Sequence, residues 1–153
     1  MCTLVECQNM KFAAGSDVHV GNSSAAVAAG IVHMLGEDFD QKYLAAVLAT
    51  AIDPDGVAAI ADTLKIVYTP LHGAGYRLVP EILHRLGLKH IYTVPEQMVL
   101  DGNFPTVKKP NPEYPDVFAL GIAIADRVGS DLVVATDPDS DRIGVMYLGN
   151  LVE

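Results

Sequence analysis

Basic residues are scarce in this chain: ten Lys and Arg stand against nineteen Asp and Glu in 153 residues, a formal net charge of −9. Nonspecific nucleic-acid binding and adhesion to an anionic membrane surface both reward clustered Lys and Arg, so the balance argues against either partner. Cysteine is nearly absent. Cys2 and Cys7, with no matching pair of histidines, make neither a zinc site nor a disulfide framework, and a reducing cytoplasm is the expected compartment. Long apolar runs are missing too. The longest, Ala25 to Leu35, is interrupted by Gly30 and His33 and is too short to span a bilayer. A secretory leader is not expected, because Glu6 and a single Lys11 replace the basic region and the apolar run comes late.

Half of the residues are apolar, enough for one sizeable core and too few residues for two ordinary domains with linkers. Residues 1–37 show neither clean alternation nor a helical stripe and read as an unassigned N-terminal arm, with Val27 to Leu35 as a short strand or helix. From Asp38 the signals sharpen. Asp40 is placed to cap a helix carrying Tyr43, Leu44, Val47 and Leu48 on one face, and Asp53-Pro54-Asp55-Gly56 reads as a turn. Leu64 to Thr69 predicts a strand, and Val79, Ile82, Leu83 and Leu86 predict a helix that Gly87 stops. His90 to Val94 predicts a second strand. Strand, helix and strand in so short a compass make a βαβ unit, which implies a parallel sheet.

The prolines at 95, 105, 110, 112 and 115 make the next segment an irregular excursion, and loops that long are usually functional. Asp116 to Val128 returns to a helix ended by Gly129, Leu132 to Thr136 is a third strand, and Ile143 to Leu148 a fourth at the edge. Between the last two strands lies the most informative stretch, Asp137-Pro138-Asp139-Ser140-Asp141-Arg142. Carboxylates alone on a short loop suit a hard cation such as Mg2+, and three like charges this close repel unless a cation or local hydrogen bonds compensate. Arg142 adds a guanidinium fork that meets phosphate oxygens bidentately.

Asp, Ser and Pro also build ordinary solvated turns, and that alternative stays open. A calcium EF-hand counted from Asp137 fails, because its sixth position is Arg142 where Gly belongs and its twelfth is Leu148 where Glu belongs. A small phosphatase, with Asp137 as nucleophile and Asp139 as acid/base, fits more closely. Its pattern wants Thr or Val where this chain has Asp141, and little sequence follows the loop.

In a parallel sheet the loops after each strand's C-terminal end share one edge, where ligands bind. That edge gathers Pro70 to Gly75, the proline-rich segment and the aspartate loop. The backbone amides around Gly73 and Gly75 are candidates to cradle a phosphate, although the run matches neither a Walker pattern nor a dinucleotide fingerprint. His72 reads either as a proton carrier or phosphate donor, or as a hydrogen-bonded turn residue. Lys108 and Lys109 offer charge to an anionic ligand or form a solvated loop. His84 and His90 read as structural.

Taken in order, Thr69-Pro70-Leu71-His72-Gly73-Ala74-Gly75, Asp101-Gly102-Asn103-Phe104-Pro105, Pro110-Asn111-Pro112-Glu113 and Asp137-Pro138-Asp139-Ser140-Asp141-Arg142 resemble the second domain of the α-D-phosphohexomutases. These include phosphoglucomutases and phosphomannomutases, and the Asp-Pro-Asp form resembles the phosphoglucomutase and phosphopentomutase branch. The resemblance covers about Asp38 to Leu148. It implies a three-layer α/β/α domain with a mainly parallel sheet over residues 38–153. It also implies a magnesium ion held by Asp137, Asp139 and Asp141, a phosphoserine oxygen completing the site, and Arg142 against that phosphate. The implied reaction moves a phosphoryl group between positions of a phosphosugar through a bisphosphate intermediate.

The chain departs from the family where other domains are concerned. It has no Ser-His-Asn-Pro phosphoserine loop, no Gly-Glu-x-Ser sugar loop and no Arg-x-Ser-Gly-Thr phosphate loop. The expectation is therefore a fragment, inactive alone, that depends on missing domains or a split partner chain, and whose uncovered faces favour self-association. The alternatives are a non-catalytic metal-binding or interaction module and the small phosphatase.

Overall fold

The computed structural model describes residues 23–30, 32, 33, 35–147 and 150–152. The expected strand or helix at Val27 to Leu35 is helical at Val27 and Ala28, and its residues 31 and 34 lie outside the described ones. Helix α1 is Ser23–Ala28, and Gly30 follows at φ 70. The rest of the expected N-terminal arm, residues 1–22, lies outside the described residues. The backbone divides into two compact units, 1–42 and 43–153.

Helix α2, Glu37–Leu48, begins earlier than the Asp40 cap predicted. Glu37, Asp38 and Asp40 all fall in its first turn, where carboxylates meet the positive end of the helix dipole, so Asp40 acts there rather than as the cap. Of the expected apolar face only Leu44 is fully buried; Tyr43 is half exposed. Residues 53–56 are also not a simple turn. Asp53 Oδ1 accepts the Gly56 amide at 2.9 Å and Pro54 occupies the first turn, so they open helix α3, Pro54–Ile60.

The sheet is built from β1 (Lys65–Thr69), β2 (His90–Thr93), β3 (Leu132–Thr136), β4 (Ile143–Tyr147) and β5 (Asn150–Leu151), in spatial order β2-β1-β3-β4-β5. Strand β1 is parallel to both β2 and β3, pairing Val67 with Tyr92 and with Val133. Strand β4 turns back antiparallel to β3, from Thr136↔Ile143 to Leu132↔Tyr147. It is not the edge strand the sequence suggested, because the short β5 pairs outside it.

Alternating strand residues feed two cores, the arrangement of a three-layer domain. Helix α5, Ala119–Val128, covers one face. Its Leu120, Ile124 and Val128 pack on a buried cluster that includes Val67, Val94, Val133 and Ala135. On the other face Ile66, Ile91, Leu132 and Val134 meet Val57 of α3 and Leu83 of helix α4, Leu78–Arg85. Gly87 and Gly129 end α4 and α5 with φ 96 and 64, as their positions predicted. The proline-rich segment carries only single 3-10 turns at its ends, Pro95–Gln97 and Pro115–Phe118. That second turn replaces the expected start of α5 at Asp116. Among the described residues no helix is long and apolar enough to cross a membrane.

Candidate metal centre

Because β1, β2 and β3 run parallel, the loops leaving their C-terminal ends emerge at one edge of the sheet. The aspartate loop is the connection between β3 and antiparallel β4, and its first carboxylate organises it. Asp137 is 5% exposed, and its Oδ1 accepts the Asp141 and Arg142 amides, each at 3.1 Å. Its backbone oxygen accepts the Ser140 amide at 3.0 Å while Ser140 takes φ 61. These bonds fold the loop back on itself. Asp137, Asp139 and Asp141 thereby each present one carboxylate oxygen, all within 4.8 Å of one another.

Asp139 and Asp141 are exposed, so Asp137 is the buried corner of the triangle. Charges at this spacing repel by about 1 kcal/mol per pair in water and about fourfold more near a protein surface. Arg142 relieves part of that repulsion. Its Nε lies 3.6 Å from Asp137 Oδ2 and 3.6 Å from Asp141 Oδ1, and one terminal nitrogen lies 3.9 Å from Glu113 Oε1. These contacts are long, and the Arg142 side chain is 50% exposed, which leaves its fork accessible to a further anion. An all-oxygen set of three carboxylates suits Mg2+, which keeps its other positions for water or phosphate oxygens.

The glycine turn is bonded to the loops on either side of it. The amides of Leu71, His72, Gly73, Ala74 and Tyr76 bond to Thr69 Oγ1 and to the carbonyl oxygens of Gln97, Pro70, Pro138 and Gly73, respectively. Through the Ala74 amide on the Pro138 carbonyl, the turn clasps the aspartate loop. Its glycines are there for closeness. A Cβ on Gly73 would sit 2.2 Å from Pro138 Cα, and one on Gly75 would sit 2.7 Å from Ser140 Oγ and 2.5 Å from the Tyr68 hydroxyl. Tyr68 is itself fully buried, bonded to Thr136 Oγ1 at 2.8 Å, and burial pushes its phenol up to about 12.

His72 is 3% exposed, with both ring nitrogens engaged in the proline-rich loop, Nδ1 to the Val99 carbonyl at 2.9 Å and Nε2 to Thr106 Oγ1 at 2.8 Å. Lys108 and Lys109 are exposed on that loop, and the Lys109 ammonium lies 5.4 Å from the centre of the Tyr114 ring. His84 and His90 bond the carbonyl oxygens of Leu88 and Asp62. Asp101 accepts from Asn103 in an Asx turn. The proline-rich loop returns to Arg142 through Glu113 and packs on β4 through Pro112, whose carbonyl would lie 2.6 Å from a Cβ on Gly144. Sequence reasoning missed Gln97, Thr106 and Glu113. Gln97 carries no motif, and only its place just beyond β2, at the same sheet edge, could have marked it. A shallow groove of about 320 Å³ between Pro95, Glu96 and α5 includes no residue of the aspartate loop. Asp139 and Asp141 stand exposed, with Asp137 buried beneath them.

Residues 41–149 match the family model for "phosphoglucomutase/phosphomannomutase, alpha/beta/alpha domain II". A phosphoglucomutase from Staphylococcus haemolyticus is 44% identical over 81 residues, 53% of this chain and 15% of that protein. One from Staphylococcus saprophyticus is 35% identical over 130 residues, 84% of this chain and 22% of that protein. A solved structure from Thermus thermophilus, assigned as a phosphomannomutase, shares the fold with TM-score 0.55 and 24% identity, over 72% of this chain and 24% of that one. The chain thus spans less than a quarter of the length of each of these relatives. With the aspartate loop, the glycine turn and the proline-rich loop all inside the matched residues, this chain belongs to the phosphoglucomutase/phosphomannomutase family, as its α/β/α domain II.

Proposed function

We propose that this domain holds a magnesium ion between Asp137, Asp139 and Asp141 and, together with Arg142, contacts and stabilises the phosphate during phosphoryl transfer between positions of a phosphosugar. The observation that carries this reading is the convergence of three carboxylate oxygens within 4.8 Å at the C-terminal end of the parallel strands of a mixed sheet, beside an incompletely paired guanidinium. When bound, the ion supplies Lewis-acid stabilisation of charge on phosphoryl oxygens. The chain's own residues do the rest. Asp137 is oriented by two amides before any ligand arrives, and Arg142 is held over the carboxylates by contacts loose enough for a phosphate to replace.

The site is one wall of a reaction centre. The exposure of Asp139 and Asp141, and relatives several times longer than this chain, support a division of labour in which the phosphoserine and sugar-binding loops belong to other domains or to a partner chain. The 153-residue chain alone then binds Mg2+ without turning over sugar phosphates, and a cytoplasmic setting suits both. Isothermal titration of the chain with Mg2+ tests the first half, with Asp139→Ala as control. Equal heats from the two proteins would refute it. Incubation with glucose 1-phosphate and a bisphosphate activator tests the second half, where turnover above the Asp139→Ala background counts against the division of labour.

A further inference from the structure

Leu71 and His72 are adjacent, neither is glycine, and both adopt left-handed backbone conformations, with φ 48 and 66. Such residues are strained and persist where their surroundings over-determine them, most often at functional sites. Leu71 is anchored by complete burial in the α5 core. His72 is anchored by hydrogen bonds whose direction can be assigned. The Val99 carbonyl can only accept, so Nδ1 carries a proton; in the neutral ring Nε2 then accepts from the Thr106 hydroxyl.

The same polarity runs on. Thr106 Oγ1 accepts from Gln97 Nε2 at 3.0 Å, Gln97 Oε1 accepts from the Thr69 hydroxyl at 2.6 Å, and Thr69 Oγ1 accepts from the Leu71 amide at 3.1 Å. The His72 amide donates to the Gln97 carbonyl at 2.9 Å. A closed circuit therefore joins the two strained residues to the start of the proline-rich loop. Among the described residues no buried side-chain polar atom lacks a partner, so nothing in this circuit is idle. Two residues farther along the same turn, the Ala74 amide donates to Pro138 of the aspartate loop at 2.7 Å.

We propose that His72, fixed as the Nδ1–H tautomer between Val99 and Thr106, is a positioning residue that ties the proline-rich loop and the aspartate loop to one glycine turn. It thereby sets where Glu113 stands relative to Arg142 and how the three carboxylates converge. His72 acts through Ala74 and Pro138 and touches neither metal nor substrate. The consequence for metal affinity rests on the magnesium reading above; the coupling between loops does not.

Nuclear magnetic resonance of the ¹⁵N-labelled 153-residue chain tests the proposal, with Mg2+ affinity read separately by calorimetry. Thr106→Val removes one hydroxyl and keeps the shape of an exposed side chain. It is expected to shift the amide signals of Ala74, Asp141 and Arg142, to move the His72 Nε2 signal as that nitrogen loses its hydroxyl donor, and to weaken Mg2+ binding about tenfold, the low end for partners that orient metal ligands. Thr106→Ser restores the hydroxyl and all three readouts. His72→Gln moves the amide signals in the same direction; should it not fold, the two Thr106 variants still decide. Unchanged Asp141 and Arg142 amides in Thr106→Val overturn the proposal. Absence of Mg2+ binding by the wild-type chain overturns the metal reading instead, and the amide shifts still decide whether the loops are coupled.

Discussion

Replacing Gly73 with alanine isolates the contact between the glycine turn and the aspartate loop. The residue has φ −99 and ψ −178, extended backbone that alanine adopts without strain. The cost is therefore spatial. The new Cβ would lie 2.2 Å from Pro138 Cα, 2.5 Å from its oxygen and 2.7 Å from its carbonyl carbon, all backbone atoms with no rotamer to escape into. Carbon atoms sit about 3.5–4.0 Å apart at best contact, so Pro138 must retreat by more than about 1 Å. The Ala74 to Pro138 hydrogen bond, at 2.7 Å, is lost with that movement. Overpacking costs about 1–3 kcal/mol and the bond about 1 more. With a urea slope of about 2 kcal/mol/M, the middle of the usual range, the sum of about 2–4 kcal/mol lowers the unfolding midpoint by about 1–2 M. Gly102→Ala is the matched control, since nothing lies within 4 Å of its Cβ and its stability should stay within about 0.5 kcal/mol of the parent. Equal midpoints for the two variants would show that the loops are not in contact as described.

Two further outcomes follow from the same edge. Asp139→Asn removes one exposed charge from the triangle; without metal it should match or slightly exceed the parent in thermal stability, while losing the stabilisation that saturating Mg2+ gives the parent, about 2.7 kcal/mol at a hundredfold excess over the dissociation constant. Calorimetric melts with and without Mg2+ check both halves. Burial penalises the Tyr68 phenolate and raises the phenol from its ordinary 10.0 to about 12 in the fold. The folded chain therefore holds its proton more tightly than the unfolded one. This contribution is complete below pH 10 and is lost as pH rises towards 12. Tyrosinate absorbance should show one late-titrating residue, missing from Tyr68→Phe.

Much of this was legible in the chain because local chemistry and tertiary demand agree. Leu132–Thr136 and its aspartate loop could be placed because a buried apolar run meets a Pro between acids, and Gly87 and Gly129 marked helix ends that only a left-handed residue satisfies. Misreadings came where one local cue had two outcomes. Asp53-Pro54 opens a turn and a helix with equal ease, and the helix wins when Val57 finds an apolar partner that sequence cannot show. Asp40 is as good a cap as a first-turn acid, and which it becomes depends on residues before it. The glycine turn had the composition of an anion cradle, and its sequence could not show that the His72 and Ala74 amides reach distant acceptors, the Gln97 and Pro138 carbonyls. Gln97 was invisible for the same reason, since its value lies entirely in distant partners.

The antiparallel return of β4 gives the aspartate loop a property that an ordinary βα loop lacks. Its two ends are paired residues, Thr136 and Ile143, so its length is locked to the register of the strand that follows. One inserted residue would keep the aspartates in sequence and still bring Ile143 to the place of Gly144, beneath the Pro112 carbonyl, where not even a Cβ fits. Drift in length is thus channelled elsewhere. Laboratory libraries that vary loop length at this edge should recover folded members with changes near Gly102, where space is open, and none between Asp137 and Arg142.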